Sequence, residues 1–96
     1  MVVVDQESHS WFLLRDEAGL VLDVSCASPY VTYSLTFRLN AHEAARIAQG
    51  SHAETEEIAR LVQRDPRPYH ERNGSPDLQA ASLAAVKRWH ATQPAA

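Results

Sequence analysis

Between Tyr30 and Leu39 the side chains alternate, with Val31, Tyr33, Leu35, Phe37 and Leu39 set against Thr32, Ser34, Thr36 and Arg38. A strict period of two, rich in β-branched and aromatic residues, predicts a strand with one buried face. At Asn40 the pattern changes. Asn40-Ala41-His42-Glu43 is a capping-box sequence, and the apolar residues after it recur at helical spacing. A chain that alternates before one residue and winds after it places its strands first and its helices second, which predicts an α+β fold.

The strand half contains two further segments, Ser10–Arg15 and Gly19–Ser25, joined by Asp16-Glu17-Ala18-Gly19. That junction reads as a hairpin with Gly19 in the positive-φ position of a bulged type I turn. Such a turn puts Phe12 and Leu14 on one face with Leu20, Leu22, Val24 and Cys26, and leaves Trp11, Leu13, Val21 and Asp23 on the other. A two-residue turn would exchange the faces of the first strand, which is apolar on both sides. Across the sheet, Asp23 is expected to pair with Arg15 or Arg38. Val2–Val4 adds a short edge strand, giving an antiparallel meander of three or four strands over about residues 10–39 and the N-terminal edge.

Three helices follow, over about 41–49, 52–64 and 76–91, packed mainly on one face of the sheet. Gly50 stops the first as a C′ residue. Ser51-His52-Ala53-Glu54 caps the second, whose stripe is Ile58, Leu61 and Val62 and whose Glu56 and Arg60 form an i, i+4 pair. Ser75 and Pro76 open the third as N-cap and N1, with Leu78, Ala81, Ala85 and Trp89 inward. Residues 93–96 read as a frayed tail.

At 96 residues, 45% of them hydrophobic, the chain is expected to form one domain, residues 1–96, with a core of its own. The net charge of −3 argues against a nucleic-acid partner held by Arg67, Arg72, Lys87 and Arg88. Ten of the twelve acids precede residue 66, so the first two-thirds of the chain is acidic. No apolar run is long enough to span a membrane. Met1–Glu7 turns acidic where a signal peptide would become apolar, and Cys26 stands alone, so a reduced cytoplasmic setting is expected.

Chemistry-bearing patterns are few. Cys26 follows Leu22 and Val24 in strand parity and reads as a buried structural thiol. The five histidines, His9, His42, His52, His70 and His90, show no metal-ligand spacing, so neither a metal site nor a cofactor is expected. The connection over residues 65–75 is long for a domain of this size and carries Arg67, Tyr69, His70 and Arg72, residue types favoured at binding hot spots. These four are the candidate partner-binding residues. A second candidate surface is the polar strand face of Thr32, Ser34 and Arg38, set beside Trp11 and Leu13. An alternative reading is an enzyme or small-ligand protein with a cleft that brings together Asp23, His70 and Arg72.

The segments Gly19–Cys26, Ser34–Leu39 with Glu43, and Pro68–Arg72 resemble a family of small bacterial proteins similar in size and layout to the immunity proteins of toxin systems. That resemblance implies a non-catalytic protein whose partner is a toxin, and it assigns no functional residue. The expected function is therefore a protein-binding module. A small sheet with unpaired edges also makes a homodimer an expected partner state.

Overall fold

The structure is a computed structural model and describes residues 1–93. Four strands, β1 (Val2–Glu7), β2 (Trp11–Asp16), β3 (Gly19–Ala27) and β4 (Thr32–Arg38), form one antiparallel sheet in chain order. Three helices follow: α1 (Ala41–Arg64), α2 (Arg67–His70) and α3 (Pro76–Thr92). The α+β order expected from the change of period at Asn40 is the order observed. Asn40 caps α1 as a capping box, its side chain accepting from Glu43 N–H while the Glu43 carboxylate accepts from Asn40 N–H. Of the expected tail, only Gln93 falls within the described residues.

The β2–β3 hairpin takes the two-residue turn, with Asp16 opposite Gly19 and Trp11 opposite Val24. The Asp16 carboxylate accepts from Ala18 and Gly19 N–H and fixes the turn, while Gly19 keeps the expected positive φ, 137°. This register corrects the bulged one. Trp11 and Leu13 join Leu22, Val24, Cys26, Leu35 and Phe37 on one face, closed by Ile47, Ile58, Ala59 and Val62 of α1. Phe12, Leu14 and Val21 lie on the other face with Val3 and, from α3, Leu78, Ala85 and Val86. The helices therefore do not share one face. Because β2 and β3 are apolar on both sides, the second face also has to be covered, and α3 covers it.

Each of two stripes differs in one member. In α1 Ala59 is buried and Leu61 is exposed; in α3 Ser82 and Ala85 are buried while Ala81 faces outward. The expected break between helices is a kink, with Ser51 rather than Gly50 taking positive φ (61°). The 65–75 connection is folded. Gly74 N–H donates to Thr36 O at 2.6 Å, and the Asn73 side-chain oxygen accepts from Thr36 N–H at 3.1 Å. Together they occupy the outer edge of β4 as a further strand would. A Cβ at residue 74 would sit 2.4 Å from Leu78 Cδ2, so a larger residue here would require the Leu78 side chain to shift.

Candidate functional site

The strand registers define one end of the sheet. Trp11 pairs with both Glu7 and Val24, and Ala27 pairs with Thr32, so the β1–β2 and β3–β4 connections emerge together. Ser25 N–H donates to Ser10 O across this end at 2.9 Å. Here the β3–β4 connection, Ser28-Pro29-Tyr30-Val31, stands clear of the domain. Tyr30 is 96% exposed and Val31 57%. The turn is nonetheless ordered by Ser28. Its N–H donates to Val31 O, and its hydroxyl oxygen accepts from Tyr30 and Val31 N–H at 3.3 and 3.1 Å. A large side chain is thus held out on a backbone already fixed.

Alternation and β propensity assign Tyr30 and Val31 to the strand, but pairing with β3 stops at Thr32. The signal that separates them is Ser28-Pro29, a turn-opening pair placed before the tyrosine.

The four loop candidates divide. Arg67 and His70 are exposed, but Arg67 is held by Asp65 at 2.8 Å and His70 Nε2 lies 3.2 Å from the Tyr33 hydroxyl. Tyr69 packs on the α1-side core, its ring 5.5 Å from that of Phe37. Arg72 makes two bonds to the Glu43 carboxylate, at 2.6 and 3.0 Å, and a third to Arg38 O at 3.1 Å. Its guanidinium also lies 4.7 Å from the centre of the Phe37 ring. Burial raises the Glu43 pKa, but Arg72 and the Asn40 N–H outweigh it and leave the carboxyl below its ordinary range. Tyr69 and Arg72 therefore bind their own domain.

On the second candidate surface Thr32 and Ser34 are exposed, but Trp11 and Leu13 lie buried on the opposite face. Arg38 pairs with Asp16 through two bonds, at 2.8 and 2.9 Å, instead of with Asp23. The same pairing holds the Asp16 carboxyl far below its usual range. Asp23 lies under α3, where the buried Ser82 hydroxyl donates to it at 3.3 Å. Burial pushes its pKa up, against hydrogen bonds from Ser82 and Thr36. Asp23 thus sits on the face opposite Arg72, and the cleft of Asp23, His70 and Arg72 does not form.

Cys26 is 2% exposed, with its thiol pushed up by burial and then by the Asp23 charge. An inert structural thiol is what this environment makes. A groove of about 330 Å³ between β1 and α3 is lined by Met1, Val2, Val3, Ala85, Arg88, Trp89 and Thr92, with no carboxylate or imidazole side chain among them.

A second cluster stands at the same end of the sheet. His52, just past the α1 kink, meets Asp5 through Nδ1 at 2.9 Å and Glu7 through Nε2 at 3.0 Å. Glu56 is 3.9 Å from Nε2 and accepts from Trp11 Nε1–H at 3.4 Å. Bonds first to Asp5 and then to Glu7 raise the His52 pKa, since only the imidazolium donates from both nitrogens. Glu7, His52 and Glu56 have ligand atoms within 4.8 Å of one another and are, among the described residues, a group that could hold a divalent cation. The sequence hid this grouping because it joins residues more than forty positions apart. No family model matches the chain, and neither a curated protein nor a solved structure does.

Proposed function

We propose that the protein is a non-catalytic protein-binding module of the cytoplasm, and that its contact surface is the β3–β4 hairpin tip bearing Tyr30 and Val31. The observation that carries this reading is a tyrosine 96% exposed on a turn that Ser28 has already ordered. A fixed backbone reduces the entropy lost on docking, and tyrosine supplies area with a polar end. Asp5, Glu7 and Glu56 flank the same end of the sheet. An apolar projection beside carboxylates suits a partner with a basic surface, which the acids would steer into place.

An immunity-type inhibitor that masks a basic toxin is the specific form this reading takes. Its support is that charge and the resemblance described above.

Tyr30→Ala tests the assignment. Against a partner captured by the parent protein, the change is expected to weaken binding by about 2 kcal/mol, within the hot-spot range. The melting temperature is expected to stay unchanged, because the side chain touches so little of its own domain. Unchanged affinity would move the interface away from the tip.

A further inference from the structure

His52 presents its two ring nitrogens to different groups. Nδ1 meets the Asp5 carboxylate at 2.9 Å, while Nε2 faces Glu7 at 3.0 Å and Glu56 at 3.9 Å. A carboxylate that accepts from one imidazole nitrogen fixes the tautomer and aims the other nitrogen as a ligand. His52 and Glu56 stand four residues apart on one face of α1, and Glu7 comes from the end of β1. Glu56 is also held from the core. Trp11, 1% exposed, donates its Nε1–H to Glu56 Oε2 at 3.4 Å. The other oxygen, Oε1, lies 3.4 Å from Arg60 Nε.

Ligand type, spacing and charge select the occupant. Asp5, Glu7 and Glu56 gather around one imidazole, with the Arg60 guanidinium beside Glu56, so negative charge is in excess whichever form His52 takes. A divalent cation offsets that excess. Donors bound about 2.1 Å from a tetrahedral ion lie roughly 3.4 Å apart. The two separations measured from Nε2 bracket that spacing. Calcium and magnesium demand a shell of oxygens, whereas one imidazole and two carboxylates suit zinc. We propose that Glu7, His52 and Glu56 form a zinc site that ties β1 to α1, with Asp5 and Trp11 as positioning residues. Zinc takes the Nε2 lone pair, and any proton on Nε2 leaves to solvent. Glu7 and His52 are about half-exposed, so a fourth position stays open to water. This site is independent of what the hairpin tip binds.

Calorimetry with zinc chloride on the tag-free full chain, joined to nitrogen NMR of the imidazoles, tests the site. The protein is expected to bind one zinc ion at micromolar concentration, and calcium or magnesium roughly a hundredfold more weakly. His52→Gln and Glu7→Gln should each weaken zinc roughly a hundredfold, and Asp5→Ala roughly tenfold. His42→Gln, which removes an exposed histidine elsewhere on α1, should bind zinc as the parent does. In the parent, zinc should shift the His52 Nε2 signal and leave Nδ1 protonated toward Asp5. Simple screening of negative charge would not give that signature. Circular dichroism confirms that each variant remains folded. No zinc uptake at submillimolar concentration would overturn the proposal. So would zinc retained by His52→Gln, coordination through Nδ1, or uptake spread over several histidines, which would mark an adventitious ion only.

Discussion

Arg72 joins three parts of the chain: the Glu43 carboxylate in α1, the carbonyl of Arg38 after β4, and the ring of Phe37. The Glu43 side chain is only 13% exposed, so removing its partner leaves a carboxylate that water reaches poorly. Arg72→Ala is expected to cost about 2 kcal/mol in urea unfolding. The pair's contribution is fully present above the ordinary glutamate value of 4.5 and is lost as the pH falls through the lower folded value. Glu43→Gln should flatten that acid limb. His52 behaves in the opposite sense. Its folded pKa is raised, so its support of β1 is complete below 6.5 and lost as the pH rises through the folded value. Amide exchange in β1 should accelerate across that window relative to β3, and His52→Gln should remove the dependence. Neither grouping was legible in the sequence: Arg72 and Glu43 are 29 positions apart, and residue type alone marks Arg72 equally for a partner or for its own core.

Elements were legible wherever one periodicity had no rival. β4 alternates cleanly over Thr32–Arg38, and the Asn40 capping box starts α1 where the sequence places it. The faces of β2 were not legible, because Trp11, Phe12, Leu13 and Leu14 are all apolar and no pattern selects a parity. The same ambiguity concealed the side on which α3 docks. At the α1 kink the sequence marks Gly50, yet positive φ falls on Ser51, whose φ of 61° and ψ of −137° suit glycine. Ser51→Gly should therefore relieve backbone strain. Against the entropy that glycine adds to the unfolded chain, the net gain is expected to be about 1 kcal/mol in thermal unfolding. A loss of stability would mean that the Ser51 backbone is not strained.

For the whole molecule, both faces of the sheet are covered by helices, the β4 edge is closed by residues 72–74, and the hairpin tip projects. The order of strands and helices was readable from the chain. The projecting tip was not, because Tyr30 and Val31 have the composition of a strand and only the register shows that pairing stops at Thr32. No helix among the described residues is long and apolar enough to cross a membrane. The central claim is that this tip makes the contact with a protein partner. Hydrogen exchange with and without the captured partner tests it most directly. Protection is expected over residues 28–33 and in neighbouring segments at the same end of the sheet, with α3 unchanged. Protection confined to α3, or to residues 16–19 at the far end, would contradict it.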